Sequence, residues 1–315
     1  MNFILLFVLE AVWMSSFSLG KMTVQVSSPA FLTSARMILA GVVLLTFLVL
    51  FKRKDLKVSS KQWIPLIFLA IFSVYLTNIC EFWSLQYLTS TKTCFLYSLS
   101  PIFAALLSFI HFKEKMSLKK WLGLLIGLCA FIPVLLEQSP AEKSQGITSF
   151  LTWPALAMVG AAFFSVYGWI LLRILVKSKE NSLSPITANG YSMLLGGVFA
   201  LIHSSFTDNW SPIPVHASQG ATFLEGLLII TLVSNIFCFN LYGYLLKKFT
   251  ATFLSFAGLL SPFFASIYGW ILLGEKPSLT IYASTAIVSI GLWFVYQAEL
   301  KQGYIQKTTA QKDET

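Results

Sequence analysis

The sequence predicts an all-α integral membrane protein whose ten transmembrane helices form two inverted five-helix repeats. Three observations predict it. Hydrophobic residues make up 56% of the chain and charged residues 11%, against roughly 25% charged in an average soluble domain. A chain of 315 residues with so few charges cannot clothe a soluble surface. Second, the stretch from Ser100-Pro101-Ile102-Phe103-Ala104 to Glu114-Lys115-Met116-Ser117-Leu118 returns as Ser261-Pro262-Phe263-Phe264-Ala265 to Glu275-Lys276-Pro277-Ser278-Leu279. Nine of nineteen positions are identical at a constant offset of 161, the mark of a duplication. Third, the basic residues fall overwhelmingly on one side of the apolar runs.

A helix needs about 20 residues to cross the hydrocarbon core. Taken in order, such runs lie at 2–22, 29–51, 63–86, 91–111, 119–136, 150–173, 185–205, 222–245, 251–273 and 279–298. The first could be mistaken for a signal peptide. It has no basic n-region, carries Glu10 and lacks an A-x-A-like cleavage site, so it reads as a retained span. Short connections make consecutive spans antiparallel neighbours. The longest connection, 206–221, holds Pro212, Pro214 and Gly220. Trp63, Trp121, Trp153 and Trp210 fall near span ends, where indole rings anchor at the interface. From Glu299 the chain turns polar and reads as a tail.

With the N-terminus placed inside, 17 Lys and Arg fall on the inner side and 4 on the outer (Lys21, Lys92, Lys143 and Lys276), with Arg36 inside a span. The positive-inside rule then fixes both termini in the cytoplasm of a multi-pass inner-membrane protein. The same clustering explains the net charge of +9 as a topology signal, so no nucleic-acid partner is expected. The expected divisions are a first repeat at 1–136, an external linker at 137–149, a second repeat at 150–298 and a cytoplasmic tail at 299–315. Five spans separate the copies, an odd number, so the halves cross the bilayer in opposite senses. Glu114 then lies at the inner face and Glu275 at the outer. Inverted halves of this kind are an architecture of alternating access.

Glu10, Arg36 and Glu81 lie inside spans, where a charge costs about 2.5–3.5 kcal/mol and needs a partner or a wet cavity. Glu10 sits roughly 12 Å from the inner edge and Arg36 roughly 10 Å from the outer. They either pair with one another or face a central cavity and address the opposite charges of a zwitterion. Pro101 and Pro262 fall roughly 15 Å into their helices, where each displaces the carbonyl four residues back, those of Tyr97 and Gly258. Such breaks either border a midplane substrate site or are packing kinks. Polar and aromatic residues gather on the same spans: Trp13, Ser15 and Ser16; Asn78 and Trp83; Tyr97 and Ser98. Ser165, Tyr167, Asn235, Asn240, Tyr242 and Ser255 occupy comparable spans of the second half. The candidate substrate-binding set is Glu10, Trp13, Arg36, Asn78, Glu81, Tyr97, Pro101, Tyr167, Asn240 and Pro262. Glu114 and Glu275, just ahead of a following helix, read as structural clamps favouring its positive N-terminal end.

Cys80, Cys94, Cys129 and Cys238 each lie in an apolar run without metal or redox spacing, and His111, His203 and His216 are scattered. No cofactor or metal is therefore expected. Nor does any HExxH, GxSxG or clustered His/Asp set support a membrane enzyme. The alternatives left open are an efflux permease for drugs or amino acids and, in another class, a channel or non-transporting scaffold. Oligomeric state is not legible.

These features resemble the EamA family of the drug/metabolite transporter superfamily. The likeness is carried by Pro101 to Glu114 with Trp121, Gly123 and Gly127, by Pro262 to Glu275 with Gly291, and by the opening Trp13, Lys21, Pro29 and Arg36. Span six departs from the pattern, having no clear Trp-Gly pair. The resemblance implies a ten-helix carrier with a cavity formed mainly by spans one, three, four, six, eight and nine. Its substrate would be a small molecule: an amino acid or an amino-acid-derived cofactor. Some members that resemble this chain import S-adenosylmethionine into intracellular bacteria, and exchange for S-adenosylhomocysteine is one mode this implies.

Overall fold

The computed structural model describes residues 2–88, 93, 96–136, 152–177, 182–216, 218–261, 263–264, 267–268 and 279–304. Among these, ten longer helical segments follow one another, with a short 3-10 segment at Arg53–Leu56 between the second and third: α1 (Asn2–Val24), α2 (Pro29–Phe51), α3 (Ser60–Leu85), α4 (Ser100–Phe112) and α5 (Leu118–Leu136), then α6 (Trp153–Lys177), α7 (Pro185–Thr207), α8 (Gly220–Leu245), α9 (Ala251–Leu260) and α10 (Leu279–Lys301). Among the described residues no strand occurs, and α2, α3, α6, α7 and α8 are each long and apolar enough to cross a bilayer. Their outward faces carry bare apolar side chains such as Leu50, Ile64 and Phe206, the last 85% exposed. Helices are the natural solution in hydrocarbon, because they satisfy their own backbone groups.

The helix pairing carries the symmetry of the duplication. α2 packs on α7, α4 on α9 and α5 on α10, while α3 packs on α6 and α1 on α8. Exchanging every helix with its counterpart five places along leaves this set unchanged. Local structure repeats as well. Ser28 caps α2 by accepting from Phe31 N at 3.1 Å, and Ser184, 156 residues later, caps α7 by accepting from Thr187 N at 3.1 Å. Each is followed by a proline at the first helical turn, where a missing N–H is harmless. α3 widens into a π-helical segment at Ala70–Leu76, and α8 does so at Thr231–Cys238, beginning 161 residues later.

The α2–α7 crossing sits on this local two-fold. A Cβ on Gly41 would stand 2.7 Å from the Leu194 backbone nitrogen, and one on Gly197 would stand 2.8 Å from that of Ile38. Close backbone approach over small residues is how helices associate where lipid removes the hydrophobic drive. Gly41→Val is therefore expected to cost about 1–3 kcal/mol through overpacking, lowering the melting temperature of the detergent-purified protein. An unchanged melting temperature would contradict the close crossing.

Two expectations change. The fourth span is interrupted: backbone at 96–97 is helical, a turn occupies 98–99, and α4 proper begins at Ser100. Pro101 thus lies in a first turn rather than at a mid-helix kink. The Tyr97 carbonyl accepts from Ser100 Oγ at 2.6 Å. α9 breaks at the corresponding place, passing into a 3-10 turn at Gly258–Leu260, where Ser261 N donates to the Gly258 carbonyl. Glu299, expected at the head of a polar tail, lies within α10 and is wholly buried. Pro262, Glu275 and the linker at 137–149 lie outside the described residues.

The helix ends on the side of α10's C-terminus are tied by two buried ion pairs. Lys120 Nζ of α5 meets Glu299 Oε1 of α10 at 3.0 Å, and Thr250 Oγ1, at the head of α9, donates to Glu299 Oε2 at 2.6 Å. Arg173 Nη2 of α6 donates to Glu114 Oε1 at 2.6 Å, its guanidinium 4.3 Å from the Phe112 ring centre. Glu114 thus clamps α6 from the other half of the chain, rather than serving the N-terminus of α5.

Candidate functional site

A cavity of about 170 Å3 lies where α1, α2, α3, α4, α6, α8 and α9 converge. Its charged residues are Glu10, Arg36 and Glu81. The π segment of α3 explains how Arg36 is held. Widening a helix shifts its carbonyls out of register, and here side chains take them up. Thr77 Oγ1 donates to Phe72 O at 2.7 Å, and Asn78 Nδ2 donates to Val74 O at 2.6 Å and Ser73 O at 3.2 Å. With its amide nitrogen committed to the backbone, Asn78 turns Oδ1 toward Arg36, whose Nη2 donates to it. The guanidinium also lies 4.4 Å from the Phe82 ring centre, and the charge of Glu81 attracts it. Arg36 is 4% exposed, so this cradle replaces its water.

Glu10 stands elsewhere on the wall. Ser261 Oγ donates to its Oε2 at 3.1 Å, and the carboxylate is 6% exposed. Among the described residues the ion pairs within 4.0 Å are Lys120–Glu299 and Arg173–Glu114, so Glu10 and Arg36 face the cavity without pairing to one another. The same cavity carries an aromatic wall. Trp13 meets Trp169 edge-on at 5.8 Å and Phe239 at 5.5 Å, and Trp169 lies 4.1 Å from Tyr242 between ring centres. Tyr97, just ahead of α4, and Ser165 of α6 both line the cavity.

Of the sequence-predicted set, Glu10, Trp13, Arg36, Asn78, Glu81 and Tyr97 line one cavity. Three others stand behind the wall. Pro101 is buried in the first turn of α4, while its neighbours Ser98 and Ser100 face the cavity. Tyr167 packs on Phe72 at 4.8 Å and His111 at 5.6 Å. Asn240 donates to Ile236 O at 2.7 Å and accepts from Asn189 Nδ2 at 3.1 Å, steadying the π segment of α8 as Asn78 steadies that of α3. Trp169, Phe239 and Ser261 line the cavity without having been singled out. Trp169 did leave a signal, since it follows Trp13 by the same 156 residues that separate Ser28 from Ser184.

Comparison with known proteins adds three findings. The profile of the EamA-like transporter family matches residues 1–136 and 152–297. The S-adenosylmethionine/S-adenosylhomocysteine transporter of Chlamydia muridarum is 38% identical over 305 residues, covering 97% of this chain and 94% of that protein. The transporter of the same name from Chlamydia trachomatis serovar L2 is also 38% identical, over 97% of this chain and 92% of its own length. A solved crystal structure superposes with a TM-score of 0.72 at 14% identity, covering 96% of this chain and 98% of the other, which establishes likeness of fold.

Proposed function

Because the chain belongs to the EamA-like transporter family, we propose that it is a secondary carrier of S-adenosylmethionine, exchanged for S-adenosylhomocysteine across a bacterial inner membrane. The observation that carries the reading is the cavity's mixture of charges and rings. A guanidinium beside Asn78 suits an α-carboxylate, Glu81 close by suits an α-ammonium, and the Trp13–Trp169–Tyr242 wall suits a stacked purine. The two chlamydial relatives bear the name of this pair of molecules. Opposite charges and an aromatic slab in one small space match an amino acid joined to a nucleoside better than either part alone.

Transport proceeds by alternating access between the two inverted repeats, 1–136 and 150–298, with both termini cytoplasmic. The excess of basic residues on one side, 17 against 4, supports that orientation. The cavity reaches toward the opposite side, through Gly20 late in α1 and Leu85 at the end of α3. The two buried ion pairs close the cytoplasmic side. This is the arrangement of an outward-facing carrier.

The test is binding followed by uptake. Purified protein screened against amino acids, nucleosides and both adenosyl compounds is expected to be stabilised by S-adenosylmethionine and S-adenosylhomocysteine. Labelled S-adenosylmethionine is then expected to enter cells expressing the carrier with saturable kinetics. Stabilisation by neither compound, with a response to another amino acid or drug, would overturn the substrate assignment.

A further inference from the structure

The three charges on the cavity wall do not cancel. Arg36 and Glu81 attract one another, and Arg36 is further held by Asn78 and Phe82. Glu10 is left over: its hydrogen bond comes from a neutral hydroxyl, Ser261 Oγ at 3.1 Å, and no cation lies within 4.0 Å of it among the described residues. A buried carboxylate with no counter-charge is costly, and an arriving cation relieves that cost. Trp13 follows Glu10 by three residues on α1, so the two project from the same helix face. Trp13 in turn touches Phe239 at 5.5 Å and Tyr242 at 5.8 Å. A carboxylate set among ring faces is the surrounding that a weakly hydrated alkyl cation prefers.

We propose that Glu10 sets the carrier's preference between a cationic cargo and its neutral counterpart, by standing against the sulfonium of S-adenosylmethionine. This rests on the substrate reading above. S-adenosylmethionine carries one more positive charge than S-adenosylhomocysteine, at the sulfur that joins amino acid to nucleoside. With the amino-acid end at Arg36, Asn78 and Glu81 and the purine on the aromatic wall, that sulfur falls between the two, and Glu10, on the same helix face as Trp13, is the uncompensated carboxylate on the same cavity wall. The neutral thioether keeps its ring and amino-acid contacts but gains nothing from the carboxylate, so the two molecules are told apart by a single electrostatic contact.

The experiment measures dissociation constants of both compounds for the wild-type and Glu10→Gln carriers in detergent. Losing one partner of a desolvated charge pair corresponds to about 30-fold or more in affinity. The ratio of S-adenosylhomocysteine to S-adenosylmethionine dissociation constants is therefore expected to fall by about that factor in Glu10→Gln, whatever happens to the absolute values. An unchanged ratio overturns the proposal. Should that variant fail to fold, the wild-type carrier decides, using an analogue whose sulfonium is replaced by a carbon bearing an ammonium. This cation is expected to compete like S-adenosylmethionine, and ranking with S-adenosylhomocysteine overturns the proposal. Wild-type protein that binds none of these compounds refutes the substrate reading instead.

Discussion

Replacing Arg36 with glutamine is expected to slow uptake at low substrate concentration by about 30-fold or more, the consequence of removing one partner of a desolvated charge contact. Among the described residues that line the cavity, Arg36 is the one basic side chain. Its loss removes the partner of a substrate carboxylate and leaves Glu81 without the charge that attracts it. A merely structural Arg36 would show a similar first result, so the double variant Arg36→Gln/Glu81→Gln separates the two. With the stranded carboxylate neutralised, the double variant is expected to recover its melting temperature but not its uptake. Recovery of both would mean that Arg36 only balances Glu81. Arg36→Lys is expected to restore little, because an ammonium lacks the planar fork that can grip Asn78 and a carboxylate together.

The second large effect concerns the tie between α5 and α10. Glu299→Gln leaves the Lys120 ammonium, 1% exposed, without a counter-charge. Breaking one side of a buried pair costs about 3–5 kcal/mol, and the melting temperature in detergent should fall steeply. Thr250 loses a charged acceptor at the same time, loosening the head of α9. Replacing both ions with apolar residues, as Lys120→Met/Glu299→Leu, is expected to return most of the lost stability. The penalty arises from the stranded charge rather than from the loss of attraction. Equal melting temperatures for the single and double variants would contradict this account of the pair.

Much of the fold was open to reading because hydrocarbon is a demanding solvent. Apolar runs long enough to cross it, a duplicated motif and one-sided lysines leave few arrangements. Half of the candidate site followed from the same physics, since Glu10, Arg36 and Glu81 could not sit in spans unless something compensated them. What stayed hidden was local backbone geometry. The π segments of α3 and α8 leave no composition signal, so the role of Asn78 in aiming its oxygen at Arg36 was out of reach. The turn at 98–99 falls inside a stretch of membrane-span length, which is why Pro101 read as a midplane kink. Trp169 was missed because the repeat runs at an offset of 156 through the first two helices of each half and 161 afterwards. The partners Glu114–Arg173 and Lys120–Glu299 are joined only by the tertiary fold, far beyond any local pattern.

Counterflow in proteoliposomes tests the exchange most directly. Vesicles containing the purified carrier are loaded with unlabelled S-adenosylhomocysteine and given labelled S-adenosylmethionine outside. A carrier that turns over by alternating access is expected to accumulate label transiently above its equilibrium level, with a rate that saturates and that falls when the interior is empty. Flux that rises linearly with concentration and ignores what lies inside the vesicle would contradict a carrier and point to a channel.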